Sequence, residues 1–243
     1  MKYSGSMKAS AKIGLLLKAA WRQHWNGDRL ILAALFTLSL LYAFGLLSNG
    51  SFEATGPELH GLAYANAFDH LSQGNLEIDA EYLRGETYLV DGRRVTYFGI
   101  LPAFFYGLTK PFLGLYEYGL SRLSMLSMLL LAFAFVYRTA LRLQLHRGAA
   151  RGRLWIFFAG LGFASPLVHV LGPACIYYEA IVWGFACTTV FLCTLARWLF
   201  DPEPKKARTW RAGLLLGTSL GFAVLSRPSV ALTAFLPYAA LGL

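Results

Sequence analysis

Between Leu71 and Gly99 the chain reads LSQGNLEIDAEYLRGETYLVDGRRVTYFG and carries five acids, Glu77, Asp79, Glu81, Glu86 and Asp91. Glu77-Ile78-Asp79 is an acid-x-acid spacing, which in an extended chain puts both carboxylates on one face. Asp69 and Glu58 lie shortly upstream. A carboxylate held in such a place can act as a general base and take the proton of an attacking hydroxyl. The ordering of candidates for that work is Asp79, then Glu77, Asp69 and Glu58. Cations that could stabilise an anionic leaving group are Arg227, Lys110 and Arg122. Each of these residues also has a plainer reading. Loop acids are commonly solvated, and Lys or Arg near a membrane commonly snorkels to the headgroups.

The elements around these residues must be apolar spans. Lys, Arg, Asp and Glu make up only 14% of the 243 residues, hydrophobic residues make up 56%, and the mean hydropathy is +0.49. Several apolar runs approach or exceed the roughly 18 residues that cross a bilayer. The sequence predicts an all-α integral membrane protein, a helical bundle of about six spans. These are 30–48, 118–141, 154–172 with Pro166 as a kink, 174–200, 212–225 and 230–243. Residues 1–29, with Trp21, Arg22 and Trp25, read as an amphipathic lead-in suited to the bilayer interface. The segment 97–116 is apolar but broken by Pro102, Gly107, Pro111 and Gly114, which suggests a short interfacial or re-entrant helix pair. The last apolar run reaches Leu243 with no charged stop, so the chain reads as the front part of a longer protein or a truncated frame.

Charge placement sorts the sides. Six Lys/Arg precede residue 30, five fall within 138–153 and five within 197–211, which is 16 of the 22. Ten of the 13 acids fall on the other side: Glu53, Glu58, Asp69, Glu77, Asp79, Glu81, Glu86, Asp91, Glu117 and Glu179. The positive-inside rule then puts the N-terminus in the cytoplasm and the loop 49–96 on the periplasmic or exterior face of the inner (plasma) membrane. The net charge of +9 is a topology signal spread between spans, which argues against a nucleic-acid partner. Cys175, Cys187 and Cys193 have neither a metal-ligand spacing nor a disulfide pattern.

The long loop is itself structured. Leu59, Leu62, Ala63, Ala67, Phe68 and Leu71 recur at helical spacing, predicting a surface helix from about Pro57 to Gln73. Asp91-Gly92 between TYLV and RVTYF predicts a tight β-hairpin. Beyond the loop, Arg227-Pro228 stands at the loop-side end of the fifth span. It is either a phosphate contact or a snorkelling side chain. Glu179, near the end of the fourth span, could pair with Arg227, Arg122 or His169. Tyr97, with Phe98, Phe104 and Phe105, could stack on a sugar or hold an alkyl chain, or anchor the interface.

The order of four stretches resembles the N-terminal half of the GT-C glycosyltransferases. These are polyprenyl-phosphate-sugar-dependent enzymes that include the protein O-mannosyltransferases and the lipid A aminoarabinose transferase. The stretches are GPELHGLAYANAFDHLSQGNLEI, VDGRRVTYFGILPAFFYGLTKPF, PACIYYEAIVWG and GLLLGTSLGFAVLSRPSVAL. The resemblance implies transfer of a sugar from a polyprenyl-phosphate donor to an acceptor on the outer face, with membrane lipid as partner. It leaves a divalent metal open. In that family the first outer loop carries the catalytic acid, often as Asp-Glu. Aligned on Gly74 the pair falls at Pro57-Glu58, so the Asp is replaced by Pro. Two other readings remain: a non-catalytic relative that binds polyprenyl lipid or a partner, and a transporter or flippase. Transporters favour internal repeats and mid-membrane ionisable groups, and neither pattern is evident here.

Overall fold

The computed structural model describes residues 27, 29–56, 58–83, 85–113, 119–143, 151–164, 171–172, 174–200 and 209–240. The lead-in before residue 27, Pro57, Glu117, Pro166 and His169 lie outside the described residues. The elements in chain order are α1 (Arg29–Leu47), α2 (Ala63–Ser72), α3 (Ala80–Leu83), β1 (Tyr88–Val90), β2 (Arg93–Val95) and α4 (Leu101–Leu113). Then follow α5 (Ser121–Arg142), α6 (Arg151–Phe163), α7 (Ile176–Phe200), α8 (Thr209–Ser226) and α9 (Pro228–Ala240).

The chain is mostly helical, and α1, α5 and α7 are long and apolar enough to cross a membrane. This meets three of the six expected spans. The other three helices are shorter, with 13 residues in α6, 18 in α8 and 13 in α9. At about 1.5 Å per residue these reach roughly 20, 27 and 20 Å, against about 30 Å of hydrocarbon.

The 25-residue α7 is the central post, packed against α5, α8, α9 and α4. Its buried face carries Val182, Ala186 and Cys187, which meet Met125, Leu129 and Ala132 of α5. Small residues on that face let the backbones approach, as membrane helix pairs require. The helix α1 lies against α5 and α6 through Leu32, Ala140, Leu154 and Phe158. Close passage of α1 and α6 occurs where Gly162 faces the Ser39 side chain.

The loop folds as a cap over the ends of these helices. Two isolated bridges stitch it down, Gly56 to Gly119 and Leu59 to Cys175, and a third, Glu77 to Val95, ties the loop to its own hairpin. The expected surface helix forms as α2, starting later than Pro57. Tyr64 and Ala65 turn inward and join Ile78, Leu83, Phe98, Tyr106 and Ile176 in a second core beneath the loop. The expected hairpin forms as well. Strand β1 pairs antiparallel with β2, and Asp91 and Gly92 take φ of 51° and 79°. Two positive-φ residues in sequence define the tight turn that matches strand twist.

The segment expected to be a broken helix pair gives one continuous helix, α4, over its described part. Pro102 sits in the first turn, where proline costs no helical hydrogen bond, and Pro111 falls in the last turn. Gly107 has a packing role. A Cβ there would enter the Phe68 ring of α2.

Candidate functional site

The four candidate acids take four different places. Glu58 is the most enclosed, its side chain 1% exposed. Its two carboxylate oxygens accept the first two backbone N–H groups of α5, Ser121 N–H at 2.9 Å and Arg122 N–H at 3.1 Å. The residue before α5, Leu120, supplies no side-chain cap. Glu58 therefore caps a helix that begins 63 residues further on, placing an anion at the positive end of the helix dipole. The Arg122 guanidinium adds an ion pair at 3.6 Å. Burial pushes the Glu58 carboxyl above its usual range, while the N–H groups of Arg122 and Ser121 oppose that. Gly61 and Gly119 are small because the Glu58 side chain occupies the space a Cβ would need.

Asp79 is half exposed, at 53%. Its carboxylate accepts Asn66 Nδ2–H at 2.7 Å and lies 3.3 Å from His70 Nε2. The Asp79 backbone N–H returns a bond to Asn66 Oδ1 at 3.0 Å. Asn66 and His70 stand four residues apart on α2, so both reach the same side. Contact with a carboxylate puts the imidazole proton on Nε2. The other ring nitrogen, Nδ1, is buried with no hydrogen-bond partner among the described residues.

Asp69 is tied to Lys110 of α4 at 2.8 Å. Glu77 is tied to Arg93 of β2 at 3.4 Å. Ile78 turns into the core, so Glu77 and Asp79 flank it on the open side as the spacing predicted. They are nevertheless drawn apart, Glu77 to the hairpin and Asp79 to α2.

Glu179 is fully buried and, among the described residues, pairs with neither Arg227 nor Arg122, while His169 lies outside them. Its Oε2 accepts Tyr106 O–H at 3.3 Å, and Oε1 has no hydrogen-bond partner among the described residues. Tyr106 O–H also lies 3.1 Å from Ser121 Oγ, and Trp183 Nε1–H donates to Ser124 Oγ at 2.8 Å. A polar chain thus runs from Glu58 through Ser121 and Tyr106 to Glu179, inside the loop-side ends of α4, α5 and α7.

Arg227 is half buried at the α8–α9 junction, its Cβ against the Gly184 face of α7. Its guanidinium has no hydrogen-bond or ion-pair partner among the described residues. Its charge acts on the phenols of Tyr64 and Tyr97. Burial, then a hydrogen bond to Glu86, push the Tyr97 phenol up, and Arg227 opposes them. The segment just after β2 reaches this junction at Gly99. A Cβ on Gly99 would strike the carbonyl oxygens of Leu225 and Ser226. Two of the sequence stretches that carried the resemblance therefore meet in space.

Beside the helix cap lies a cleft of about 490 Å³ lined by Glu58, His60, Glu81, Tyr82 and Glu86. His60 Nδ1–H donates to the Tyr82 carbonyl at 2.6 Å. Sequence reading missed His60, Asn66, His70 and Tyr106. Only the Asn66–His70 spacing gave a local signal. Among the described residues no group of three or more His, Cys, Asp or Glu could hold a metal.

In comparison with protein-family models, curated proteins and solved structures, the chain matched none.

Proposed function

We propose that the chain is a GT-C-type membrane glycosyltransferase with about six spans, its loop on the outer face. It moves a sugar from a polyprenyl-phosphate donor to an acceptor hydroxyl. Asp79 is the base. It takes the hydroxyl proton as the acceptor oxygen bonds to the sugar's anomeric carbon, and the bond from that carbon to the phosphate oxygen breaks. The lipid phosphate leaves carrying its charge toward Arg227. Asn66 and His70 hold the Asp79 carboxylate in one orientation, which is the preorganisation that base catalysis needs.

One observation carries this reading. Gly99 packs on the Leu225–Arg227 turn, while Phe98 shares a core with Ile78, the neighbour of Asp79. That arrangement supports a half-exposed carboxylate and an unpaired arginine on one capped surface. Among the candidate cations only Arg227 is suited to a phosphate, because Lys110 and Arg122 already face Asp69 and Glu58. The alternative, a lipid-binding protein without catalysis, is favoured by the ion pairs of Asp69 with Lys110, Glu58 with Arg122 and Glu77 with Arg93, which engage three of the four candidate acids.

Retention of polyprenyl phosphate by the reconstituted chain separates the roles. Arg227→Gln should weaken it at least several-fold and Asp79→Asn should leave it unchanged. Equal retention in both variants removes Arg227 from the phosphate site.

A further inference from the structure

The hairpin shows three consecutive apolar side chains to its surroundings. Tyr88, Leu89 and Val90 are 60, 67 and 52% exposed. A two-stranded ribbon has two open faces, and directly opposed residues share one. Leu89 lies opposite Arg94, and Val90 opposite Arg93. Both arginines are exposed. Arg93 reaches Glu77 through Nε, and Arg94 donates one N–H to Thr87 Oγ1 at 3.3 Å, leaving its other donors available.

The height of the hairpin follows from a ladder of rings. Tyr88 contacts Tyr97 at 5.7 Å, Tyr97 contacts Phe98 at 4.2 Å, and Phe98 contacts Tyr177 at 4.9 Å between centroids. Tyr177 is the second residue of α7. That helix is about 37 Å long at 1.5 Å per residue, some 7 Å more than the roughly 30 Å hydrocarbon layer. The ladder therefore ties the hairpin to the loop-side end of a helix long enough to reach the headgroups on that side. Tyrosine at that level is the usual interfacial anchor.

We propose that the β1–β2 hairpin rests in the phospholipid headgroup layer beside α7. Leu89 faces the upper acyl chains, and Arg94, on the same face of the ribbon, meets headgroup phosphate. Asp91 at the turn limits the depth, because a carboxylate stays on the water side of the phosphate plane. The charge pattern fits a lipid surface better than a protein partner, since each apolar residue next to the turn has a basic neighbour across the strand. The inference needs only that α7 spans the membrane, and it holds whatever the chain catalyses.

The test uses the full chain in phosphatidylcholine–phosphatidylglycerol vesicles, with or without brominated acyl chains. Leu89→Trp is read as the difference from the wild-type chain, which already has six tryptophans. The added emission should be blue-shifted, shielded from acrylamide and lost in brominated vesicles. Emission at the wavelength of tryptophan in water, quenched by acrylamide and indifferent to bromine, overturns the proposal. Shielding from both quenchers overturns it too, because it means that protein covers the hairpin. Val90→Trp reads the opposite face and should stay open to acrylamide and indifferent to bromine, and bromine quenching at Val90 but not at Leu89 overturns the proposed seating.

Discussion

Removing the Glu58 carboxylate should unfasten the loop from α5. In Glu58→Ala the N–H groups of Ser121 and Arg122 lose both acceptors, and the half-buried Arg122 loses its counter-ion. Loss of a helix cap alone costs about 1 kcal/mol. Each buried N–H left unsatisfied adds about 1–3 kcal/mol, and these terms are not additive. Breaking one side of a buried ion pair gives about 3–5 kcal/mol, which we take for the whole change. Glu58→Gln keeps one acceptor and turns an amide N–H₂ toward the second donor, so about 2 kcal/mol is expected.

The assay is reversible unfolding of the purified chain in mixed micelles, followed by circular dichroism as denaturing detergent is added. A Glu58→Ala chain within about 0.5 kcal/mol of wild type, the range of ordinary surface changes, would refute the cap. The pH dependence supplies a sign. The folded Glu58 carboxyl lies above its ordinary 4.5, chiefly through burial. Folding then favours the protonated form. This contribution is fully present below 4.5 and is lost as pH rises through the folded value. The advantage of wild type over Glu58→Gln should narrow as pH rises from 4.5. A widening gap would mean that the two N–H groups and Arg122 outweigh burial.

Gly99→Ala drives a methyl group into the Leu225 and Ser226 carbonyls, which cannot rotate away. It should cost about 1–3 kcal/mol in the same unfolding assay, and a neutral result would move the Tyr97–Gly99 segment off the α8–α9 junction. The Asp69–Lys110 pair is 43% exposed on both sides, so a double-mutant cycle should give a coupling of only about 0.2–1 kcal/mol. A larger coupling would mean the pair is shielded from water, for example by lipid.

Parts of this structure were legible because their signals are local. Asp91-Gly92 marked the hairpin turn, helical spacing marked α2, and hydropathy located α1, α5 and α7. The end of α2 at Ser72, with Gln73 as its cap, was legible for the same reason, since Gly74 with φ of 81° breaks the helix. What stayed hidden depends on residues far apart in the chain. Glu58 looked like one loop acid among many, because its partners begin 63 positions away. Asp69 and Lys110 are 41 positions apart, and nothing in either neighbourhood names the other. Gly107 read as a helix breaker, since sequence alone does not show the Phe68 ring lying on it. Glu179 was expected to pair with Arg227, Arg122 or His169, and among the described residues it lies against the Tyr106 hydroxyl instead, a choice set by which helices meet. The ranking of Asp79 first rested on its spacing to Glu77, whereas its orientation comes from Asn66 and His70 on another element.

The most direct test of the functional account is sugar transfer itself. Membranes containing the chain would be given labelled polyprenyl-phosphate hexoses and pentoses, and label reaching outer-face lipid, polysaccharide or protein would be counted. Wild type should transfer from at least one donor, and Asp79→Asn should lower that rate by about 10²-fold or more, the share of a general base. Transfer by Asp79→Asn at the wild-type rate, or no transfer from any donor by wild type, would contradict the account.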